Sequence, residues 1–146
     1  MLQAIEFIAT LCASLFAGAA LYITLVEHPA RMALETETAA RQWAPSYQRA
    51  TWMQAPLAMV SGLASIIAWS MEGEAGWLVA GILIGSVVPF TLLLVMPINH
   101  QLLMKGRDLR TSDTRALLER WGTLHAVRTA LSMSAVVIDL WLLSQV

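Results

Sequence analysis

Four apolar runs leave few folds open to this chain. They lie at about Ile5–Val26, Ala55–Met71, Ala75–Ile98 and Leu124–Leu143. Each comes near the roughly 20 mainly apolar residues that a helix needs to cross a hydrocarbon core. The runs are continuous, whereas the strands of a membrane barrel alternate. A helix closes its own backbone hydrogen bonds in lipid, so it is the spanning element that fits. The chain is 58% hydrophobic and 13% charged, against roughly 45–50% and 25% in a soluble domain. The expectation is an all-α, integral membrane four-helix bundle, up-down-up-down, forming one domain over residues 1–146. Its helices would span about 5–26, 55–71, 75–98 with an extension into the cytoplasm, and 113–143.

The start, Met1 to Glu6, carries no Lys or Arg. A cleaved signal peptide opens with a positive segment, so the first run is expected to be a retained helix. Cys12 is the single cysteine, so no intrachain disulfide is available. Among the prolines, Pro29 should end the first helix and Pro56 should open the second. Pro89 and Pro97 should kink the third, freeing the carbonyls of Gly85 and Leu93. Gly81 and Gly85 form a GxxxG pattern suited to close helix packing. Ala30–Trp43 reads as a short interfacial helix, and Ser112-Asp113 as the start of the helix that leads into the last run.

Charge sets the orientation. All nine Lys and Arg lie in or beside two segments, between runs 1 and 2 and between runs 3 and 4. The turn between runs 2 and 3 carries Glu72 and Glu74 and no base, and both chain ends lack bases too. Positive residues stay in the cytoplasm. Both termini are therefore expected on the non-cytoplasmic side of an inner (plasma) membrane, with loops 1–2 and 3–4 cytoplasmic. The net charge of −1 argues nothing about partners; the lipid bilayer and a hydrophobic small molecule are expected, and no nucleic acid.

The same cytoplasmic end gathers the reactive side chains. The first run ends in Tyr22, Thr24, Glu27 and His28, and the second is entered through Trp43, Tyr47, Arg49, Trp52 and Gln54. The third ends in Asn99 and His100, and the fourth opens with Trp121, His125 and Arg128, which share one helical face. Arg128 inside an apolar run needs a partner, a water-filled cavity or a route to the interface, and Glu27 is the candidate partner. Glu27, His28, His100 and His125 are a candidate metal set suited to iron, copper or zinc. Haem is a weaker option, and a site without any cofactor is another. Tyr22, Tyr47, Gln54 and Trp121 are candidate pocket residues. Trp43, Trp52 and Trp121 fit one aromatic belt and Trp69, Trp77 and Trp141 the other. Glu6 and Asp139 are read as solvated interfacial acids.

Several segments together carry a family resemblance. They are Val26-Glu27-His28-Pro29-Ala30-Arg31, Trp43 with Tyr47-Gln48-Arg49-Ala50, Pro97-Ile98-Asn99-His100-Gln101-Leu102, and Trp121-Gly122-Thr123-Leu124-His125-Ala126-Val127-Arg128-Thr129. The chain resembles the DUF1772, or anthrone oxygenase-like, family of small four-helix membrane proteins, over nearly its whole length. The resemblance implies roles at Glu27, His28, Pro29, Asn99, Trp121, His125 and Arg128. It settles neither a cofactor nor a role for His100. Two functions follow as expectations. One is an oxygen-dependent oxidoreductase acting on a hydrophobic, anthrone-like aromatic. His125, or Glu27 with His28, would be the base, and Arg128 with Asn99 would stabilise an oxyanion. The other is a non-catalytic membrane protein holding a small ligand or partner at the same cluster. A bundle this thin also admits a homo-oligomer. A transmembrane ion path ranks last.

Overall fold

The computed structural model describes residues 1–145. Among them the chain forms four long helices and no strand: α1 (Leu2–Met32), α2 (Thr36–Glu72), α3 (Ala75–Leu102) and α4 (Ser112–Leu143). Each is long and apolar enough to cross a membrane. The chain is thus a multi-pass membrane protein by the make-up of its helices. Each helix packs on its neighbours in sequence, and α4 closes the ring against α1.

The apolar side chains are turned outward and the small ones inward. Phe7, Leu11 and Leu15 of α1 are exposed, as are Leu63 of α2, Ile82 of α3 and Val137 and Leu140 of α4. The interior holds Ala9, Ala13, Ala17 and Ala20 of α1 and Ala58, Ser61, Gly62 and Ser65 of α2. Lipid tails are as apolar as leucine, so helices associate through close backbone approach rather than by hiding large apolar groups. The α2–α3 contact follows this rule. A β-carbon on Gly62 would lie 3.5 Å from Gly85 Cα, and one on Gly81 3.1 Å from Ser65 Cβ. The GxxxG expectation is met there. Gly73 ends α2 in the left-handed region at φ 77°, a conformation that glycine adopts at no steric cost.

Helix limits differ from the sequence expectation at Pro29 and Pro56. α1 does not stop at Pro29. It widens into a π turn at Ile23–Glu27, where the His28 N–H reaches the carbonyl of Ile23, and continues to Met32. The wider turn leaves room for a proline that neither donates nor tolerates a close carbonyl four residues back. α3 repeats the device, with a π turn at Thr91–Val95 followed by Pro97. α2 begins at Thr36, not near residue 55, and runs through Pro45 and Pro56. The supposed interfacial helix at Ala30–Trp43 is the tail of α1, a short turn and the first part of α2. α4 is capped by Thr111, whose hydroxyl accepts from the Thr114 N–H at 3.2 Å, with Asp113 in the first turn.

The 37 residues of α2 span roughly 55 Å at about 1.5 Å per residue. The hydrocarbon core is only about 30 Å thick, so its first part projects beyond the lipid at the basic end of the bundle. Outside the spans, Arg110 donates to the Glu37 carboxylate at 2.6 Å, which raises its pKa from the usual arginine value.

Candidate functional site

At the basic end two arginines turn into the bundle, one buried and one half-buried, and they live in different surroundings. Arg31 of α1 is 3% exposed. Its Nη2 bonds Glu27 Oε1 at 2.5 Å and Ser46 Oγ at 3.3 Å, its Nη1 lies 3.2 Å from His28 Nδ1, and its Nε donates to Gln42. The Ser46 hydroxyl and the Gln42 amide donate to the same Glu27 carboxylate. The guanidinium also sits 5.9 Å from the Trp121 ring centroid. Glu27 therefore pairs with Arg31, one helical turn on, and not with Arg128 as the sequence suggested. Buried charges are retained where a partner and hydrogen bonds fill their capacity, and this network does so.

Arg128 of α4 is engaged far less. Its Nη2 donates to Gln54 Oε1 at 3.2 Å, and its guanidinium carbon lies 5.6 Å from the Phe16 ring centroid. Its Nε is buried without a hydrogen-bond partner among the described residues, as is Gln54 Nε2. Both residues line a cavity of about 130 Å³ between α2 and α3. The walls are apolar, with Phe16, Ala55, Ala58, Val87, Val88 and Leu92, and Tyr47 and Met96 stand at one side. Thr51, Ala55 and Leu92 are also exposed on the outside of the bundle, so the cavity opens sideways between the two helices. The π turn at Thr91–Val95 lies on this wall. Adjoining the cavity is a smaller space lined by Ile23, Ser46, Trp121 and His125, with Tyr47, Thr51, Gln54 and Arg128 shared between the two.

The ring of His125 stacks on Trp121 at 4.9 Å, and Trp121 meets Trp43 edge-on at 5.9 Å. Trp43 stacks in turn on Tyr47 at 5.1 Å. Trp43 and Trp121 are buried, and neither indole N–H finds a partner among the described residues. These two and Trp77 are buried in the bundle rather than turned outward to an aromatic belt, whereas Trp52, Trp69 and Trp141 are exposed. His125 is held in place by Thr24, whose Oγ1 lies 3.1 Å from Nδ1.

The remaining candidates divide. His28 packs against Trp121 at 5.2 Å and against Gly122, where a β-carbon would collide with its ring. It does not line the cavity. Asn99 is fully buried with neither amide atom partnered, and it too lies outside both spaces. Tyr22 is 57% exposed on the outer face of α1, because the turn that carries it points away from the bundle. His100 is exposed on α3, and among the described residues no three His, Cys, Asp or Glu side chains form a group able to hold a metal ion. At the opposite end, Glu6 and Asp139 are buried rather than solvated, and both Asp139 oxygens lack a partner. Asp139 continues the inward stripe of His125, Thr129, Ser132 and Val136 on α4.

Sequence reasoning missed Arg31, Gln42, Ser46 and Thr24. The four-residue spacing of Glu27 and Arg31 was the available signal for the first. What the cavity offers chemically is an apolar body with hydrogen-bond donors at its inner end. An apolar ligand bearing an acceptor oxygen suits it.

The family model described as anthrone oxygenase matches residues 43–138. That stretch holds Tyr47, Gln54, Trp121, His125 and Arg128, and leaves Glu27 and His28 outside. No curated protein and no solved structure matches the chain.

Proposed function

The chain belongs to the anthrone oxygenase family, and on that premise we propose that it is a membrane-embedded oxygenase acting on a hydrophobic, anthrone-like aromatic. The observation that carries the proposal is the lateral cavity, which joins apolar walls to the unpartnered donors of Arg128 and Gln54. A lipid-soluble ring system would enter between α2 and α3. Its carbonyl oxygen would rest against Arg128 and Gln54, and the methylene on the opposite edge of the central ring would face His125.

An anthrone gives up a proton from its central methylene to leave an electron-rich anion whose charge falls on the carbonyl oxygen. His125 takes that proton as general base. Arg128 and Gln54 stabilise the oxyanion, and Gln54 thereby takes the part that Asn99 was expected to play. Donors fixed in a water-poor site are worth most at this step. The anion then reacts with dioxygen. One anthrone and one dioxygen yield one anthraquinone and one water, so no further reductant is needed. Glu27, His28 and Arg31 act as the frame behind Trp121. The positive-inside rule places the basic end, and with it the site, in the cytoplasmic half of the membrane.

The test is oxygen uptake by the purified protein in lipid nanodiscs supplied with an anthrone, with the quinone product measured alongside. Uptake equal to quinone formed, above that of empty discs and lost in His125→Ala, is the expected result. Uptake no faster than in empty discs overturns the assignment. Saturable binding without uptake would leave the non-catalytic role.

A further inference from the structure

The proton on His125 can be located from the hydrogen bonds around it. Thr129 Oγ1 lies 3.2 Å from the carbonyl oxygen of Ala20 and 3.1 Å from that of His125. Carbonyl oxygens only accept, so the single Thr129 hydroxyl proton is directed to them. Thr129 Oγ1 is also 2.8 Å from Thr24 Oγ1. With its own proton committed, Thr129 can only accept there, and the Thr24 proton fills that contact. Thr24 Oγ1 is then left as an acceptor towards His125 Nδ1, 3.1 Å away. In this order the Thr129 proton serves the two carbonyls it faces, and each remaining contact has one proton. In the reverse order Thr24 would donate to Nδ1 and Thr129 to Thr24, and the Thr129 oxygen would face two carbonyls at contact distance with no proton towards either.

We propose that Thr24 and Thr129 are positioning residues that fix the neutral His125 ring as the Nδ1–H tautomer and so leave Nε2 as a bare lone pair. The proposal deepens the assignment of His125 as general base and rests on it for its catalytic meaning. A base must present a lone pair, and the other tautomer would present an N–H. Nδ1 is held by Thr24, and His125 lines the smaller space beside Arg128 and Trp121. On proton transfer the substrate C–H bond breaks, its electron pair stays on the substrate, and a new N–H bond forms at Nε2. The resulting imidazolium keeps its Nδ1–H bond to Thr24, so no group has to turn. The π turn that contains Thr24, Ile23–Glu27, is the local feature that sets this hydroxyl in register with α4, and such turns recur at functional sites.

His28 supplies an internal reference. Its Nδ1 faces the Arg31 guanidinium at 3.2 Å, and arginine only donates. Its Nδ1 must therefore carry the lone pair, which makes it the opposite tautomer.

The experiment is nitrogen NMR of the protein labelled with ¹⁵N-histidine in nanodiscs, which distinguishes protonated from bare ring nitrogens. Signals are assigned by difference with His125→Asn and His28→Asn. The expected result is Nδ1–H at His125 and Nε2–H at His28 in the unaltered protein. Thr24→Ser retains the His125 pattern, and Thr24→Val moves the proton to Nε2. With an anthrone, Thr24→Val lowers kcat about a hundredfold with KM little changed, and Thr24→Ser restores it. An Nε2–H ring at His125 in the unaltered protein, or a pattern that Thr24→Val leaves unchanged, overturns the proposal. The NMR result needs no turnover. A correct tautomer in a protein that oxidises nothing would refute the oxygenase assignment and leave the positioning role standing.

Discussion

Arg31, buried, and Arg128, half-buried, lie at the same end of one small bundle, and they differ in how much of their bonding capacity the protein fills. Around Arg31 every nitrogen finds a partner, from Glu27, His28, Gln42 or Ser46. Around Arg128 only Gln54 is bonded, Nε has no partner among the described residues, and an open cavity adjoins. A satisfied buried charge holds helices together. An unsatisfied one that borders a cavity keeps donors ready for something that is not part of the chain. Residue type and position at the same end alone would have ranked the two together, and the hydrogen-bond inventory separates them.

Several substitutions break or sharpen this contrast. The largest effect is expected for Arg31→Met, which strands the Glu27 carboxylate beside Ser46 and Gln42. It should cost about 3–5 kcal/mol of stability, read as a fall in thermal midpoint, and the double variant with Glu27→Gln should recover part of the loss. Arg128→Met should leave the midpoint nearly unchanged, because few of its bonds are lost. Turnover of an anthrone should fall roughly a hundredfold or more, the usual effect of removing an oxyanion donor. If Arg128→Met instead unfolds the protein as Arg31→Met does, the distinction fails. Gly122→Ala sets a methyl group into the His28 ring and should cost about 1–3 kcal/mol through overpacking, again read by melting. Tyr22→Ala and His100→Ala touch neither region and should shift stability by no more than about 0.5 kcal/mol, with turnover preserved. Lost turnover in His100→Ala would reopen a ligand role for that side chain.

The sequence carries the number of helices plainly, because an uninterrupted apolar run has few other uses. It also carries the gathering of Trp121, His125 and Arg128 on one face of α4, since that helix is regular from Ser112 to Leu143. Legibility ends where the helix stops being regular. Thr24 and Glu27 sit in a π turn, and one extra residue per turn rotates everything after it. The step from Glu27 to Arg31 runs from the end of that turn into regular helix, so their pairing is legible in the four-residue spacing; what the turn obscures is which face of the bundle the pair meets. The first part of α2 was hidden for another reason. It lies beyond the lipid, so Glu37, Arg41, Gln42 and Ser46 break the apolar run, and the segment reads as a separate short interfacial helix rather than as the start of α2. Asn99 and Tyr22 were singled out by residue type, and type says nothing about the direction in which a side chain leaves its helix.

The most direct test of the contrast is the thermal midpoint of the unaltered protein and of Arg128→Met, each in nanodiscs with and without an anthraquinone. A ligand that binds only the folded state raises the midpoint in proportion to its occupancy. The account predicts a clear rise for the unaltered protein and none for Arg128→Met, with ligand-free midpoints that agree. An equal rise in both would show that the ligand does not use the Arg128 cavity, and would contradict the account.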